Sequence, residues 1–373
     1  MIALPRPDAS LVGRWWWTVD RLTLSALALL ICVGMLMTVA ASPAVAERIG
    51  LDAYAFVRKQ LVYLPAAAAL MLAVSLLGPR GVRRLALLGF AVAFALTAAT
   101  LVIGAEVKGA RRWISLPGLS LQPSEFLKPC LAVLAAWLFA EGQRTGSWLG
   151  AAAACLLLGM VLAVLKMQPD IGMAAVVVLV FFAQWCVAGL RLFWVGVLGG
   201  VVVAVAVGAY SFFPHVQSRV HRFLDPAAGD TFQVATALAA FANGGLTGRG
   251  PGEGRVKTIL PDAHADFVFA VAGEEFGMLV CLAIIALFAF VVIRGFARLL
   301  AETDAFVIIA AAGLLTQFGL QAFINMASSL HLIPTKGMTL PFVSYGGSSV
   351  FAVALGMGML LALTRRRHHG EAG

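Results

Sequence analysis

The stretch IGMAAVVVLVFFAQWCVAG, residues 171–189, runs for nineteen positions without a charged side chain. A helix of that length is about 28 Å long, close to the hydrocarbon thickness of a bilayer. In lipid every backbone N–H and C=O must be satisfied within the segment, so the run reads as a membrane-spanning helix. Working outward, further apolar runs bounded by charges or by Pro and Gly clusters lie at about 22–42, 60–78, 85–104, 123–140, 148–165, 193–213, 266–292, 305–327 and 344–364. No alternation of the barrel type is present. The expected fold is an all-α polytopic membrane protein of about ten transmembrane helices. It forms a single domain over 1–373, with a large extracytoplasmic loop at 214–265 between helices seven and eight.

Composition agrees. Of 373 residues 61% are hydrophobic and 12% charged, and the mean hydropathy is +0.94. A soluble domain is about half apolar and a quarter charged, which rules out nearly every soluble enzyme class. Ser42-Pro43-Ala44-Val45-Ala46 resembles a signal-cleavage site, but the apolar run before it is longer than a signal peptide's, so an uncleaved first span is expected. Cys32, Cys130, Cys155, Cys186 and Cys281 show no CxxC spacing and are expected to be buried small hydrophobes. Residues 232–242 are too short to span and suit an interfacial or re-entrant piece. The glycines at 244, 245, 248, 250, 252 and 254 read as a mobile loop, and they fit neither a dinucleotide fingerprint nor a P-loop.

Charge is more specific. There are 27 Lys and Arg against 18 Asp and Glu, a net of +9. An even number of spans puts both termini on one side. The basic flanks at Arg14, Arg21, Arg80, Arg83, Arg84, Arg294, Arg298 and Arg365 to Arg367 make that side cytoplasmic. Only 13 of the 27 cations fall there, however; 13 fall outside and Lys128 lies within the fourth span. Long translocated loops escape the charge rule, which accounts for the cations of 214–265 but not for Lys108, Arg111, Arg112 and Lys336 in short outer connections. An anionic ligand at the outer face is the natural reading, and a nucleic-acid partner is not expected.

Four segments carry candidate chemistry. In KGARRWISLPGLSLQPSEFLK (108–128), Arg112 and Trp113 suit an interface anchor as well as a site, and Pro123 suits the first turn of a helix. Lys128 lies about a turn inside the membrane with Glu125 three residues earlier on the same face, a functional hypothesis by default. In LKMQPDIGMA (165–174), Asp170 reads as a helix cap with Lys166 as its nearest countercharge. In LPDAHADFVFAVAGEEFG (260–277), Asp266 stands at the threshold of the eighth span. A continuous helix would set Glu274 about 80° round and ~12 Å deeper, bordering one cavity, with Glu275 nearly opposite. A carboxylate facing the outer water suits a general base for a hydroxyl nucleophile, or equally a divalent cation such as Mg or Mn held at Asp266. In LIPTKGMTLPFVSYGGSS (332–349), Lys336 faces a small-residue helix start with Ser344 and Ser348, which suits an anion site or close helix packing.

Together the strings RRWI with QPSEFLK, QPDIG, GEG with LPDAHADFVFAVAGEEFG, and PTKGMTLPFVSYGGSS resemble the SEDS family (shape, elongation, division and sporulation), the polytopic peptidoglycan glycosyltransferases of bacteria. The resemblance runs from the first span to the tenth. KGARRWISLPG and LPDAHADF are nearer the division-type, FtsW-like branch than the elongation-type, RodA-like one. The resemblance implies polymerisation of lipid II, a disaccharide-pentapeptide on undecaprenyl pyrophosphate, in the bacterial cytoplasmic (inner) membrane at the division septum. It implies a class B penicillin-binding protein and other divisome membrane proteins as partners, and no organic cofactor. The aspartate of the family's H-T-D-F motif, regarded as catalytic, falls on Asp266, while Ala265 stands where the motif has Thr. Lys128, Lys336 and Arg111, with Arg249 and Lys257 from the loop, are then the expected cations for the pyrophosphate, and Trp113, Glu125, Glu274, Ser344 and Ser348 complete the expected substrate site. Two other readings compete. A lipid II flippase predicts midplane polar residues and internal symmetry, and no repeat is found; a non-enzymatic division scaffold leaves Asp266 and Glu274 without a purpose.

Overall fold

The computed structural model describes residues 10–107, 110–116, 119–189, 192–212, 217, 221, 232–334 and 337–366. Each of the ten expected spans is helical: α2 (Arg21–Arg48), α3 (Ala55–Ser75), α4 (Pro79–Ile103), α5 (Ser124–Thr145), α6 (Leu149–Met167), α7 (Ile171–Val187), α8 (Leu192–Phe212), α11 (Val268–Leu299), α12 (Ala305–Ser329) and α13 (Gly347–Leu363). Six of them, α2, α3, α4, α6, α11 and α12, are long and apolar enough to cross a membrane on those grounds alone. Shorter helices complete the chain: α1 (Leu11–Thr18), α9 (Phe232–Gly244) and α10 (Val256–Ile259).

Burial sorts these helices. In α13 nearly every residue from Ser348 to Leu363 is buried, and α5 and α12 bury most of their length, so these three form the centre of the bundle. α6 buries only Ala154, Val161 and Leu165, and side chains such as Leu156 and Val102 face outward, as a lipid-facing rim requires. Gln184 on α7 donates to the carbonyls of Ala132 on α5 (2.7 Å) and Ile309 on α12 (3.1 Å), a polar tie between three spans. The cysteine expectation needs correction. Cys130 and Cys281 are buried, but Cys155 is half-buried and Cys32 and Cys186 are exposed. An apolar run in a membrane chain has a lipid side as well as a core side, and apolarity does not separate them.

Both described ends of the chain meet at the inner end of the bundle. Arg366 N donates to the Thr18 carbonyl (3.0 Å) and Arg298 donates to the Thr364 carbonyl (3.0 Å). Asp20, just before α2, takes a bidentate pair from Arg294 (2.8 Å) and a second cation, Arg298 (3.2 Å). Burial alone would raise the Asp20 carboxyl, but the hydrogen bonds from Arg294 and Thr23 outweigh it and hold the group below its ordinary value. α1 lies beside this clamp, with Trp15 buried and donating to Ser75 Oγ (2.9 Å) while Trp16 and Trp17 are exposed. Arg21 covers both exposed indoles, the arrangement of an interfacial helix.

At the outer end the connection after α4 is a small antiparallel sheet in the order β1 (Ala105–Val107), β2 (Ala110–Leu116), β3 (Leu119–Leu121). No strand was expected there, because three-residue strands leave no periodicity to read. α11 is broken at Gly277, whose φ of 80° and ψ of 179° only glycine adopts readily. The break exposes backbone groups that the loop after α9 satisfies: Met278 N donates to Gly245 O (2.9 Å), and Arg249 N and Gly250 N donate to Glu274 O and Glu275 O (3.0 Å each). The glycine loop expected to be mobile is therefore folded onto the broken helix.

Candidate functional site

Asp266 lies in the turn that leads into α11, not on the helix, since Phe267 is the capping position. The helical-wheel relation between Asp266 and Glu274 expected from the sequence does not apply. What fixes Asp266 is a clasp from the chain around α12 and α13. Three successive carbonyls are held: His264 O by Tyr345 N (2.9 Å), Ala265 O by Ser344 Oγ (2.5 Å) and Asp266 O by Asn325 Nδ2 (2.9 Å). The half-buried Asp266 carboxylate packs on Gly337, where an added Cβ would stand 2.9 Å from Oδ2. That close approach accounts for a glycine at 337, whose φ is +66°.

Aromatic rings wall the other side of this turn. His264 stacks on Phe56 of α3 with centroids 4.7 Å apart, and Tyr345 lies 5.3 Å from the imidazole. Burial pushes the imidazole down to about 4, with Asp262 opposing and Arg48 adding to the shift, so His264 is neutral near pH 7. Burial, assisted by Tyr63, pushes the Tyr345 phenol up to about 12.

Lys128 is enclosed in the bundle, as the sequence suggested. Its Nζ lies 2.7 Å from Glu125 Oε2 and donates to Gln321 Oε1 (3.1 Å). Gln321 in turn faces Thr339 O (3.2 Å) and Thr339 Oγ1 and Ser349 Oγ (3.4 Å each), and those two hydroxyls are 2.6 Å apart. Gln321 and Asn325 escaped the sequence reading. A signal was present: Gln317, Gln321 and Asn325 recur every four residues in an otherwise apolar span, a polar stripe that a membrane helix does not carry idly.

The remaining candidates divide by what already holds them. Both oxygens of Glu274 are taken by backbone donors, Oε1 by Arg255 N (3.1 Å) and Oε2 by Val256 N (2.9 Å), and the side chain is fully buried. Glu275, expected to point away, lies beside it and pairs with Lys257, whose Nζ also donates to Ala40 O and Gly252 O (3.1 Å each). These three charges build the loop. Ser344 Oγ accepts from Leu340 N (2.8 Å) besides holding Ala265, and Ser348 Oγ accepts from Gln122 N (2.8 Å) and donates to Ser120 O (3.1 Å). Both serines tie α13 to its surroundings. Arg112 donates to Gln168 O (3.1 Å) and Pro169 O (2.7 Å) and pairs with Asp170 (3.4 Å), which caps α7 through Met173 N (3.0 Å). Arg111 is solvent-exposed with a loose partner in Glu106 (3.5 Å), Arg249 is exposed beside Asn243 O (3.2 Å), and Trp113 is half-buried on β2. Lys336 lies outside the described residues. Among the described residues no three His, Cys, Asp or Glu side chains converge. Asp266 alone fits a Mg-type site only where a substrate supplies the other oxygens.

Comparison with known proteins fits this arrangement. The family model for FtsW, RodA and SpoVE, described as cell cycle protein, matches residues 20–369. A protein of Caulobacter vibrioides called probable peptidoglycan glycosyltransferase FtsW is 46% identical over 366 residues, covering 98% of this chain and 94% of its own length. One of the same description from Geobacter metallireducens is 36% identical over 353 residues, covering 90% and 92%. Among solved structures, a chain from a study of how a peptidoglycan synthase complex coordinates polymerization and crosslinking superposes with a TM-score of 0.76 at 27% identity, over 94% of this chain and 98% of the other. The rod shape determining protein RodA of Thermus thermophilus does so with 0.68 at 27% identity, over 94% and 97%.

Proposed function

This chain belongs to the FtsW/RodA/SpoVE family of multi-pass membrane proteins, and from that premise we propose that it is a peptidoglycan glycosyltransferase extending glycan strands from lipid II at the outer face of the cytoplasmic membrane. The observation that carries the reading is the clasp on residues 264–266, which holds one half-buried carboxylate at the outer end of a bundle that also encloses a lysine. A carboxylate with an immobilised backbone meets the geometric demand on a general base.

In the proposed reaction Asp266 accepts the proton of the C4 hydroxyl of an acceptor GlcNAc. The freed oxygen bonds to C1 of the donor MurNAc, the C1–O bond to pyrophosphate breaks, and undecaprenyl pyrophosphate leaves with inversion. Charge collects on the pyrophosphate, so cations near it stabilise the transition state more than the ground state. Lys128, Arg111 and Lys336 are assigned to that role, and Arg249 stands exposed on the loop above. Lys257, Glu274, Ser344 and Ser348 are assigned to holding the backbone of the site. A divalent cation at Asp266 would draw its other ligands from the pyrophosphate. The partner is proposed to be a class B penicillin-binding protein at the septum, supported by the likeness to a peptidoglycan synthase complex.

The test is polymerisation of purified lipid II by wild type and Asp266→Asn, with and without the class B partner and with EDTA. Near wild-type glycan synthesis by the folded variant would remove Asp266 from the mechanism, and activity unaffected by EDTA would remove the metal.

A further inference from the structure

α12 carries Gln317, Gln321 and Asn325 on one stripe, and all three are buried. The helix does not need them, because its backbone bonds are made without side chains, and burying an amide among membrane helices is costly unless it is used. Two of the three touch the groups that the proposed reaction employs. Gln321 Oε1 accepts from Lys128 Nζ (3.1 Å), and Asn325 Nδ2 donates to the carbonyls of Asp266 (2.9 Å) and Met338 (2.5 Å). Both partners of Nδ2 are carbonyl oxygens, so the amide orientation is fixed by chemistry. Asn325 Oδ1 has no hydrogen-bond partner among the described residues. Gln321 meanwhile holds Thr339 O, next in sequence to Met338, so one length of chain is pinned twice along the same helix face.

We propose that Gln321 and Asn325 are positioning residues that set the spacing between the Lys128 ammonium and the Asp266 carboxylate. Their separation along α12 is four residues, about 6 Å of rise, on a helix packed at the centre of the bundle. A rigid helix face thereby connects the group that holds the leaving pyrophosphate to the group that takes the proton. The inference rests on the reading of Asp266 as the base and Lys128 as a pyrophosphate ligand. A misplacement of about 1 Å costs a reaction of this kind as much as 100-fold.

The experiment compares Asn325→Leu, Asn325→Ser and Gln321→Leu with wild type and Asp266→Asn, as full-length proteins with the class B partner present. Lipid II titrations give kcat and KM, and melting in detergent gives stability. The expected result for the Asn325 variants is a kcat about 10- to 100-fold lower, a KM within about twofold, and a melting temperature within a few degrees. Gln321→Leu is expected to lower kcat as well. Wild-type kcat in a folded Asn325 variant, a loss of kcat that tracks melting temperature, or failure of all three variants to fold would each overturn the proposal. Activity retained by Asp266→Asn would instead remove the underlying assignment of the base, so the two failures are distinguishable.

Discussion

The Lys128 ammonium lies 2.7 Å from the Glu125 carboxylate, three residues earlier on α5, with the lysine side chain only 2% exposed. Removing one partner of a buried pair strands a charge and typically costs about 3–5 kcal/mol, whereas replacing both is near neutral. Lys128→Met and Glu125→Gln are each expected to destabilise the protein, and the double variant is expected to regain stability without regaining lipid II polymerisation. Denaturation curves and glycan synthesis on the same preparations check this. Full activity in the double variant would reduce the pair to a structural role.

Gly277 predicts a backbone effect. Its φ and ψ are almost exclusive to glycine, and an added Cβ would collide with Gly248 N and Leu246 O. Gly277→Ala is expected to cost at least about 3 kcal/mol, combining backbone strain with the clash. Gly50→Ala, at a φ of +76° with open space around it, is the control and should cost about 1 kcal/mol. Equal melting temperatures for the two variants would show that the break at Gly277 is not held as described.

Glu274 binds two backbone N–H groups of the loop. Glu274→Leu leaves the buried Val256 N–H and the half-buried Arg255 N–H unpaired, for a loss of about 3 kcal/mol, and Glu274→Gln, which keeps one acceptor, should lose about half of that. Limited proteolysis within 245–257 should accelerate in the same order. KM for lipid II should stay within about twofold in the folded protein, and a tenfold rise in Glu274→Gln would restore the carboxylate to the substrate site.

His264 gives a pH dependence with a definite sign. An imidazole held at about 4 when folded and near 6.5 when unfolded leaves the unfolded state binding more protons between those values. The stability this group contributes is complete above pH 6.5 and drains away as pH falls toward 4. Melting temperature should therefore drop across that window in wild type. In His264→Phe, which keeps the stack on Phe56, the curve should flatten there; an unchanged slope would assign the pH effect to other groups.

The runs of twenty or so apolar residues and the polar spacers gave the helix count in advance. Such features depend only on transfer of side chains and backbone into lipid, which is local to each segment. The Lys128–Glu125 pair was also legible, because both residues sit on one helix three positions apart. Lys257 and the serines were expected at the substrate, and their partners within the protein, Glu275, Ala265 and Ser120, come from segments that the sequence does not place beside them.

Sequence alone determined that the chain is a bundle of about ten membrane helices with as many cations expected outside as inside, and its motifs pointed to Asp266. Tertiary structure decided which of those groups are spent on the protein. Glu274, Glu275 and Lys257 are consumed in folding the glycine loop onto a helix broken at Gly277, and Asn325, unnoticed in the apolar pattern, holds the backbone of Asp266. The physical reason is that apolarity and helix period are properties of single segments, while the satisfaction of a buried polar atom is settled by whichever distant segment is packed against it.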